Sequence, residues 1–380
     1  MPPQSEPQSE WEPEAEPQSE PQPQDYCISF EDVQDAADRI FGTVHKTPVM
    51  TCRSLIASSE HDDGKNYFFK VEAMQKTGSF KFRGALNAVR YHLEHAIISE
   101  NENESENENE TGLSVVTHSS GNHAQALALA AKMAAVRATI VMPNTAPLVK
   151  KNAVRDFGAT IVTVENSNEA RKSEAERIVA ETGAVFVHPS EDPLVIAGQG
   201  TVALEFIGQV REMADGRDLD AVIIPVGGGG LAAGNCIALR ALLDPSVKIV
   251  LAEPETLNDA QRSFREGRLL HHPPGTVLDS VADGLKTTLG PNTWPIVRDL
   301  VDDVITVSET EILRATKMVW ERLKVAIEPS AGVGVAVASS REFHAKYPRE
   351  ESGVRNVGIV LCGGNVDIGK IALQMNELGL

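Results

Sequence analysis

The chain has 380 residues, 42% of them hydrophobic, which is enough to bury a sizeable core in two domains or lobes. Its formal net charge is −19, and seven acidic residues lie in segment 1–25 and six in segment 99–111, neither of which contains a base. Both segments are expected to be disordered. The remaining chain has no basic patch interleaved with aromatic residues, which excludes a typical nucleic-acid-binding surface, and no apolar run of membrane-spanning length is expected.

The N-terminus and the cysteines indicate the compartment. The first residues are rich in Pro, Gln, Ser and Glu, whereas a secretion signal needs a basic start and an apolar stretch. Cys27, Cys52, Cys236 and Cys362 show no CxxC spacing, which argues against a disulfide framework or a zinc knuckle. A cytoplasmic location is therefore expected.

Short β-rich runs alternate with helical patterns along the chain. The predicted strands cover residues 67–73, 113–119, 138–143, 159–164, 184–189, 220–226, 248–254 and 357–364. Helical patterns follow at residues 82–95, 122–135 and 231–243, and the acidic segment 99–111 falls where a surface loop is expected. This alternation predicts an α/β fold with a largely parallel sheet wrapped by helices.

A run of four glycines, Gly227 to Gly230, follows the predicted strand 220–226 and opens a helix. Free backbone N–H groups at a helix start form a site for phosphate, and glycine lets the backbone approach the anion closely. Gly227, Gly229 and Ala232 also fit the dinucleotide fingerprint, with Glu253 after the next strand as a ribose-binding acid. An NAD-dependent dehydrogenase and a plain strand-to-helix turn therefore remain open at this point.

The stretch KTGSFKFRGA, Lys76 to Ala85, places Lys81 at the start of a predicted helix between Phe80 and Phe82. Aromatic neighbours desolvate an ammonium group and lower its pKa, which makes a lysine amine nucleophilic. Lys81 is therefore a candidate for covalent bonding to a carbonyl compound.

Four segments occur together in an order that resembles the fold-type II pyridoxal-phosphate enzymes, in the serine/threonine dehydratase group. They are KTGSFKFRGA, SSGNH at residues 119–123, the glycine run at 227–230, and CGGNVD at residues 362–367. The resemblance extends from about Tyr26 to Asp367, without the acidic tail and the 99–111 insertion. It implies two lobes, each with a mostly parallel sheet: a large domain of residues 26–75 and 176–380, and a small domain of residues 76–175. It also implies a homodimer.

The resemblance implies a role for each matching residue. Lys81 would carry pyridoxal phosphate covalently, Asn122 would contact the ring hydroxyl, and Cys362 would face the pyridine nitrogen. The phosphate would be bound by Gly227, Gly228, Gly229 and Gly230. Serine usually stands at the position of Cys362, but a thiol is likewise a weak neutral partner.

The implied reaction is interconversion of L- and D-serine, accompanied by dehydration of serine to pyruvate and ammonia. Lys81 would serve one face of the substrate, and Ser120, where related dehydratases tend to have alanine, would serve the other with help from the helix dipole. Ser119, Asn122 and His123 would surround the substrate carboxylate. A threonine/serine dehydratase without racemase activity remains an alternative.

An aspartate racemase is a further alternative. Ser190 stands in HPSEDP, a serine-bearing loop similar to that of animal aspartate racemases. However, Glu191 and Asp192 would repel a second substrate carboxylate if they point inward. Serine is therefore the expected substrate.

Two further binding sites follow from the resemblance. Glu253 and Asp259, with the carbonyl of Leu257, would bind a divalent cation, Mg²⁺ or Ca²⁺. Animal members of the group bind ATP between subunits at positions that Lys76, Thr77 and Gln125 match. The other contacts of that site differ here, at Cys52, Arg53, Ser54 and Phe157, so the resemblance supports ATP only in part.

Overall fold

The computed structural model describes residues 26–56, 64–102, 112–273 and 275–380. The acidic tail 1–25 and residues 103–111 of the acidic segment, both expected to be disordered, lie outside the described residues. Residues 99–102 of that segment belong to a helix that continues from Lys81 to Glu102.

The secondary structure alternates as the hydrophobic pattern predicts. The strands are β1 Val49–Thr51, β2 Asn66–Val71, β3 Ser114–His118, β4 Arg137–Pro143, β5 Thr160–Val164, β6 Val185–Phe186, β7 Ala221–Pro225, β8 Lys248–Pro254, β9 Asp303–Val307 and β10 Asn356–Leu361. The helices are α1 Phe30–Ile40, α2 Arg53–Ile56, α3 Lys81–Glu102, α4 Asn122–Met133, α5 Leu148–Asp156, α6 Asn168–Thr182, α7 Pro193–Met213, α8 Gly230–Leu242, α9 Asp259–Glu266, α10 Thr293–Leu300, α11 Glu309–Met318, α12 Pro329–Ser339, α13 Arg341–Lys346, α14 Arg349–Ser352 and α15 Ile368–Glu377.

The strands form two sheets. The larger has six strands in the order β1-β2-β10-β7-β8-β9, and the smaller has four in the order β5-β4-β3-β6. Every pairing is parallel except that of β1 with β2. The predicted α/β fold with mostly parallel sheets is thus confirmed. Strands β1 and β9, at the two edges of the larger sheet, were not predicted.

Helix α7 lies at the centre of the larger core, packed against α3 and α8. By length and composition it could cross a membrane, because it has 21 residues and a mean hydropathy of 1.2. A single helix of this kind is weak evidence for a membrane span, because core helices of similar composition are common. Since 67% of its most apolar stretch is buried inside the protein, α7 serves as a core helix of the sheet-and-helix fold.

A buried cluster of charged side chains connects β2, α3 and α7. The guanidinium of Arg83, on the first turn of α3, donates to both carboxylate oxygens of Glu72 and both of Glu205, at 2.8 to 2.9 Å. Glu205 also accepts from Nζ of Lys70 at 2.7 Å. Such bidentate pairs fix geometry as well as charge. These contacts therefore hold the segment between β2 and the start of α3, where Lys81 lies.

Candidate active site

The predicted motifs meet where the carboxyl ends of the two sheets face each other. Strand β3 leads into residues 119–123 and β6 into residues 187–190, while β7 leads into the glycine run and β10 into residues 362–365. Carboxyl edges of parallel sheets are where α/β proteins bind ligands, because loops from several strands converge there. The hydrogen bonds and close contacts described below join all four segments into one site.

Lys81 begins α3 and lies in the interior of this site. Its Nζ donates to the carbonyl oxygen of Pro189 at 2.7 Å and lies 5.1 Å from the centre of the Phe80 ring. Phe82, on its other side, is fully buried. Burial lowers the pKa of Lys81 to about 8, while the nearby Cys362 acts in the opposite direction. The pKa of Lys81 is thus lowered, as predicted from its flanking aromatic residues.

The glycine run forms a tight turn between β7 and α8. Gly229 has φ of +83°, a left-handed conformation that glycine adopts without strain. A Cβ added to Gly228 would lie only 2.5 Å from Oγ of Ser190, so a larger residue would displace the neighbouring loop. The first N–H groups of a helix such as α8 have no acceptor within the helix. The turn is therefore a cradle suited to a phosphate group.

The paired serines lie in the turn between β3 and α4. Oγ of Ser119 accepts from the backbone N–H of Gly121 at 3.3 Å. Ser120 is half-buried and directly precedes Gly121, the N-cap of the twelve-residue helix α4. Ser120 therefore lies at the positive end of the helix dipole, as predicted.

Asn122, the first residue of α4, is held by side chains from two distant segments. Its Nδ2 donates to Oε1 of Glu328 at 2.9 Å, and its Oδ1 accepts from Nδ2 of Asn365 at 2.8 Å. Glu328 precedes α12, and Asn365 follows β10. These contacts tie the start of α4 to the larger sheet.

His123, predicted to contact the substrate carboxylate, is the second residue of α4 and is almost completely buried. The ring is only 2% exposed, and its Nε2 lies 3.3 Å from the carbonyl oxygen of Val187. Burial and the charge of Lys81 lower the pKa of His123 well below its usual range. Its Nδ1 has no hydrogen-bond partner among the described residues, and its contact with the substrate carboxylate stays a prediction.

Cys362 follows β10 and is almost completely buried, at 3% exposure. Its carbonyl oxygen accepts from the backbone N–H of Phe80 at 3.1 Å, which brings it beside the turn that carries Lys81. Burial and the neighbouring Glu328 raise the pKa of the Cys362 thiol well above its usual range. The thiol is therefore neutral at physiological pH, as expected of a weak partner for a pyridine nitrogen.

Glu328 and Asn365 belong to the site but were not assigned from the sequence. Glu328 is 3% exposed, and burial together with the charge of Asp283 raises its pKa to about 8. One signal was present in the sequence: Glu328 is a single acidic residue between the apolar residues 325–327 and Pro329. An acidic residue between an apolar run and Pro329 has to find a partner elsewhere when it is buried.

The predicted cation site contains two buried carboxylates, those of Glu253 and Asp259, at 1% and 3% exposure. Glu253 accepts from the backbone N–H groups of Ala260 and Gln261, each at 2.9 Å. Burial and the neighbouring Asp259 raise the pKa of Glu253 well above its usual range. Among the described residues, no group of three or more His, Cys, Asp or Glu side chains surrounds a common point. The pair still suits a hard cation, which would relieve its mutual repulsion.

Leu257 lies in the short turn 255–257 between these two acids, as the proposed carbonyl ligand requires. The burial of Glu253 also bears on the dinucleotide alternative, in which this residue would bind the ribose. Glu253 is only 1% exposed, whereas a ribose would need an acid that faces an open cleft.

The residues matched to a nucleotide site lie close together. Lys76 and Thr77 form a short turn that packs against α4, which carries Gln125 in its first turn. Thr77 has φ of +61°, and its buried Oγ1 has no hydrogen-bond partner among the described residues.

The two acids of the loop that follows β6 do not face the lysine. Glu191 accepts from the backbone N–H of Asn292 and from Oγ1 of Thr293, both at 2.8 Å. Asp192 is the N-cap of α7 and accepts from Leu194 N–H at 2.8 Å. Both carboxylates are thus hydrogen-bonded to residues other than Lys81.

Comparison with known proteins agrees with this geometry. Residues 40–363 match the family model described as pyridoxal-phosphate dependent enzyme. The chain belongs to this family and has its type II fold. Human serine racemase is 48% identical to this chain over 345 residues, which are 90% of this chain and 93% of the human protein.

Two solved structures are also similar. Maize serine racemase is 41% identical, with a TM-score of 0.79 and coverage of 93% of this chain and 98% of the maize chain. A pyridoxal 5'-phosphate-dependent aspartate racemase is 37% identical, with a TM-score of 0.78 and coverage of 92% and 99%. The NAD-dependent dehydrogenase left open by the glycine motif is excluded by the family match.

Proposed function

We propose that this enzyme interconverts L- and D-serine and also eliminates water from serine to give pyruvate and ammonia. The observation that carries the proposal is the high identity to human serine racemase over nearly the whole chain. It is supported by the site, in which the amine of Lys81 donates to the carbonyl oxygen of Pro189, while His123, at the start of α4, contacts Val187 of the same loop.

The residues present fit pyridoxal phosphate. Lys81 would hold it covalently, Gly227 to Gly230 would bind its phosphate, Asn122 would reach its ring hydroxyl, and the neutral Cys362 would face its pyridine nitrogen. When bound, pyridoxal phosphate withdraws electrons from an attached amino acid and so makes the α-proton acidic.

Racemisation requires proton transfer on both faces of the substrate. The amine of Lys81, with its pKa lowered to about 8, would take and return the α-proton on one face. Oγ of Ser120 would do so on the other, stabilised by the N–H groups at the start of α4. Loss of the β-hydroxyl competes with return of the proton, so both reactions depend on Lys81.

The substrate carboxylate would bind at the start of α4, near Ser119 and Asn122. Both helix N–H groups and the dipole favour an anion there. His123 would complete this carboxylate site, with its ring held in place by the carbonyl oxygen of Val187.

A direct test uses the purified enzyme with L-serine. We expect a yellow protein that forms D-serine, resolved by chiral chromatography, and pyruvate, measured by coupled reduction. A protein that forms pyruvate but no D-serine would be a dehydratase. A colourless protein that forms neither product would contradict the proposal.

An aspartate racemase is the second candidate, because Glu191 and Asp192 are engaged elsewhere and Ser190 lies beside the glycine turn. Measuring kcat/KM for L-aspartate and L-serine with the same preparation separates the two. We expect serine to be the better substrate, and a higher value for aspartate would reverse the assignment.

We also propose a divalent cation bound by Glu253, Asp259 and the Leu257 carbonyl. Removal of the ion by a chelator is expected to lower the Tm by several degrees, since two buried carboxylates then repel each other. Added Mg²⁺ or Ca²⁺ should restore it. Differential scanning fluorimetry checks this.

The matched control for the cation is Glu255→Gln, which removes an exposed acid two residues from Glu253. This variant should respond to the chelator as the wild type does, whereas Glu253→Gln should lose the response. A wild-type Tm that is indifferent to the chelator would contradict the cation site.

The domain division, with a large domain of 26–75 and 176–380 and a small one of 76–175, belongs to the same proposal, as do a homodimer and a cytoplasmic location. Nucleotide activation stays a prediction from Lys76, Thr77 and Gln125.

A further inference from the structure

Both polar atoms of the Asn122 amide are hydrogen-bonded to residues to which the sequence analysis gave no role. Glu328 accepts from its Nδ2 at 2.9 Å, and Asn365 donates to its Oδ1 at 2.8 Å. Glu328 is fully buried, while Asn122 and Asn365 are half-buried.

The hydrogen-bond inventory of an amide shows what this arrangement leaves over. An asparagine has two N–H donors on Nδ2 and one oxygen acceptor. Glu328 occupies one N–H and Asn365 supplies the donor to the oxygen, so one N–H of Asn122 remains. A flipped amide would point its N–H groups at Nδ2 of Asn365, which donates to the Thr77 carbonyl and cannot accept. The two neighbours therefore determine the orientation of the Asn122 amide.

The two neighbours are themselves anchored to the turn that carries Lys81. Asn365 donates a second hydrogen bond, at 2.7 Å, to the carbonyl oxygen of Thr77. The backbone N–H of Glu328 donates to the carbonyl of Gly363 at 3.0 Å, and Ser79 pairs with Gly363 as an isolated β-bridge. The orientation of Asn122 is thus coupled to the segment that precedes Lys81.

We propose that Glu328 and Asn365 are positioning residues for pyridoxal phosphate, which orient the Asn122 amide so that its remaining N–H faces the cofactor ring. This inference rests on the proposed function and extends it to two residues to which the sequence analysis gave no role. Neither side chain needs to touch the cofactor. Both act through Asn122.

A simple structural brace is the competing explanation. In that case, the contacts would hold α4 to the larger sheet, and their loss would lower stability without a specific effect on the cofactor. The two explanations differ in whether the effect on cofactor affinity depends on the Asn122 side chain.

The test measures the Kd of pyridoxal phosphate for the apoenzyme from the visible absorbance of the bound cofactor, together with the apoenzyme Tm. The variants are Glu328→Ala and Asn365→Ala, each with Asn122 intact and each combined with Asn122→Ala. With Asn122 intact, we expect each variant to raise the Kd about tenfold, as for loss of a hydrogen bond to a charged or buried partner. Combined with Asn122→Ala, the same change should raise it less than about twofold.

Two further variants separate orientation from folding. Asn356→Ala removes a buried amide that donates to the carbonyl of Asp218. Asn356 begins β10, whose other end leads into the site, so this variant should lower the Tm without changing the Kd. Glu328→Gln keeps an acceptor for Asn122 and should restore affinity to within about threefold of the wild type. If Glu328→Ala does not fold, Asn365→Ala and its combination with Asn122→Ala carry the test.

The outcomes distinguish the inference from the function on which it rests. An unchanged Kd in Asn365→Ala and Glu328→Ala, or a tenfold loss that persists without the Asn122 side chain, overturns the positioning role. A wild-type apoenzyme that binds no pyridoxal phosphate overturns the proposed function itself.

Discussion

Replacing Lys81 with alanine is expected to abolish both D-serine formation and pyruvate formation, each by about 10³-fold or more. Both reactions begin with removal of the α-proton, and the proposed base for that step is the amine of Lys81. The same variant should purify without the visible absorbance of a covalently held cofactor. Chiral chromatography, the pyruvate assay and an absorbance spectrum measure the three effects.

Lys151→Ala is the matched control for this variant. Lys151 is also a largely buried lysine whose Nζ donates to a backbone carbonyl, that of Asn144, but it lies on α5 outside the site. Its replacement should leave the visible absorbance intact. Retention of either activity at more than about a tenth of the wild-type rate by Lys81→Ala would remove Lys81 from the mechanism.

The lowered pKa of Lys81 predicts how cofactor binding depends on pH. Only the unprotonated amine attacks a carbonyl, and burial brings the pKa from 10.5 to about 8. The rate at which the apoenzyme bonds to pyridoxal phosphate should therefore rise about tenfold per pH unit below 8 and level off above it. Stopped-flow absorbance measures this rate. A rise that continues to pH 10, as for Nα-acetyl-lysine under the same conditions, would contradict a desolvated amine.

Replacing Ser120 with alanine is expected to separate the two reactions. D-serine formation should fall by about 10²-fold or more, because one face of the substrate loses its proton donor and acceptor. Pyruvate formation from L-serine should survive at least in part, because Lys81 still removes the α-proton. Both products are measured from the same incubation with L-serine.

Ser119→Ala is the control for Ser120. Ser119 lies one residue earlier, and its Oγ accepts the turn hydrogen bond from Gly121. Loss of the Ser119 hydroxyl should lower the rates of racemisation and elimination to the same degree, since both reactions need the substrate carboxylate bound. Unimpaired racemisation by Ser120→Ala would show that another group serves the second face.

Most of the fold could be predicted from hydrophobic periodicity. Strands buried on both faces, such as β7 and β8, read as continuous apolar runs bounded by turns, and their predicted limits agree with the structure within one or two residues. Strand β1 was not predicted because its three residues, two half-buried and one exposed, are too few to show a hydrophobic pattern. Whether α7 crosses a membrane or fills a core could not be read from its apolar composition, which both settings require.

The sequence by itself indicated the class of protein, because four of its segments, at residues 76–85, 119–123, 227–230 and 362–367, together resemble the fold-type II pyridoxal-phosphate enzymes. It could not determine the direction of individual side chains. Only the tertiary structure turned Glu191 and Asp192 away from the lysine, buried the ring of His123, and brought Glu328 and Asn365 to Asn122 across 206 and 243 residues of chain. Side chains turn toward the partners that packing supplies, and those partners are set by how the two sheets meet.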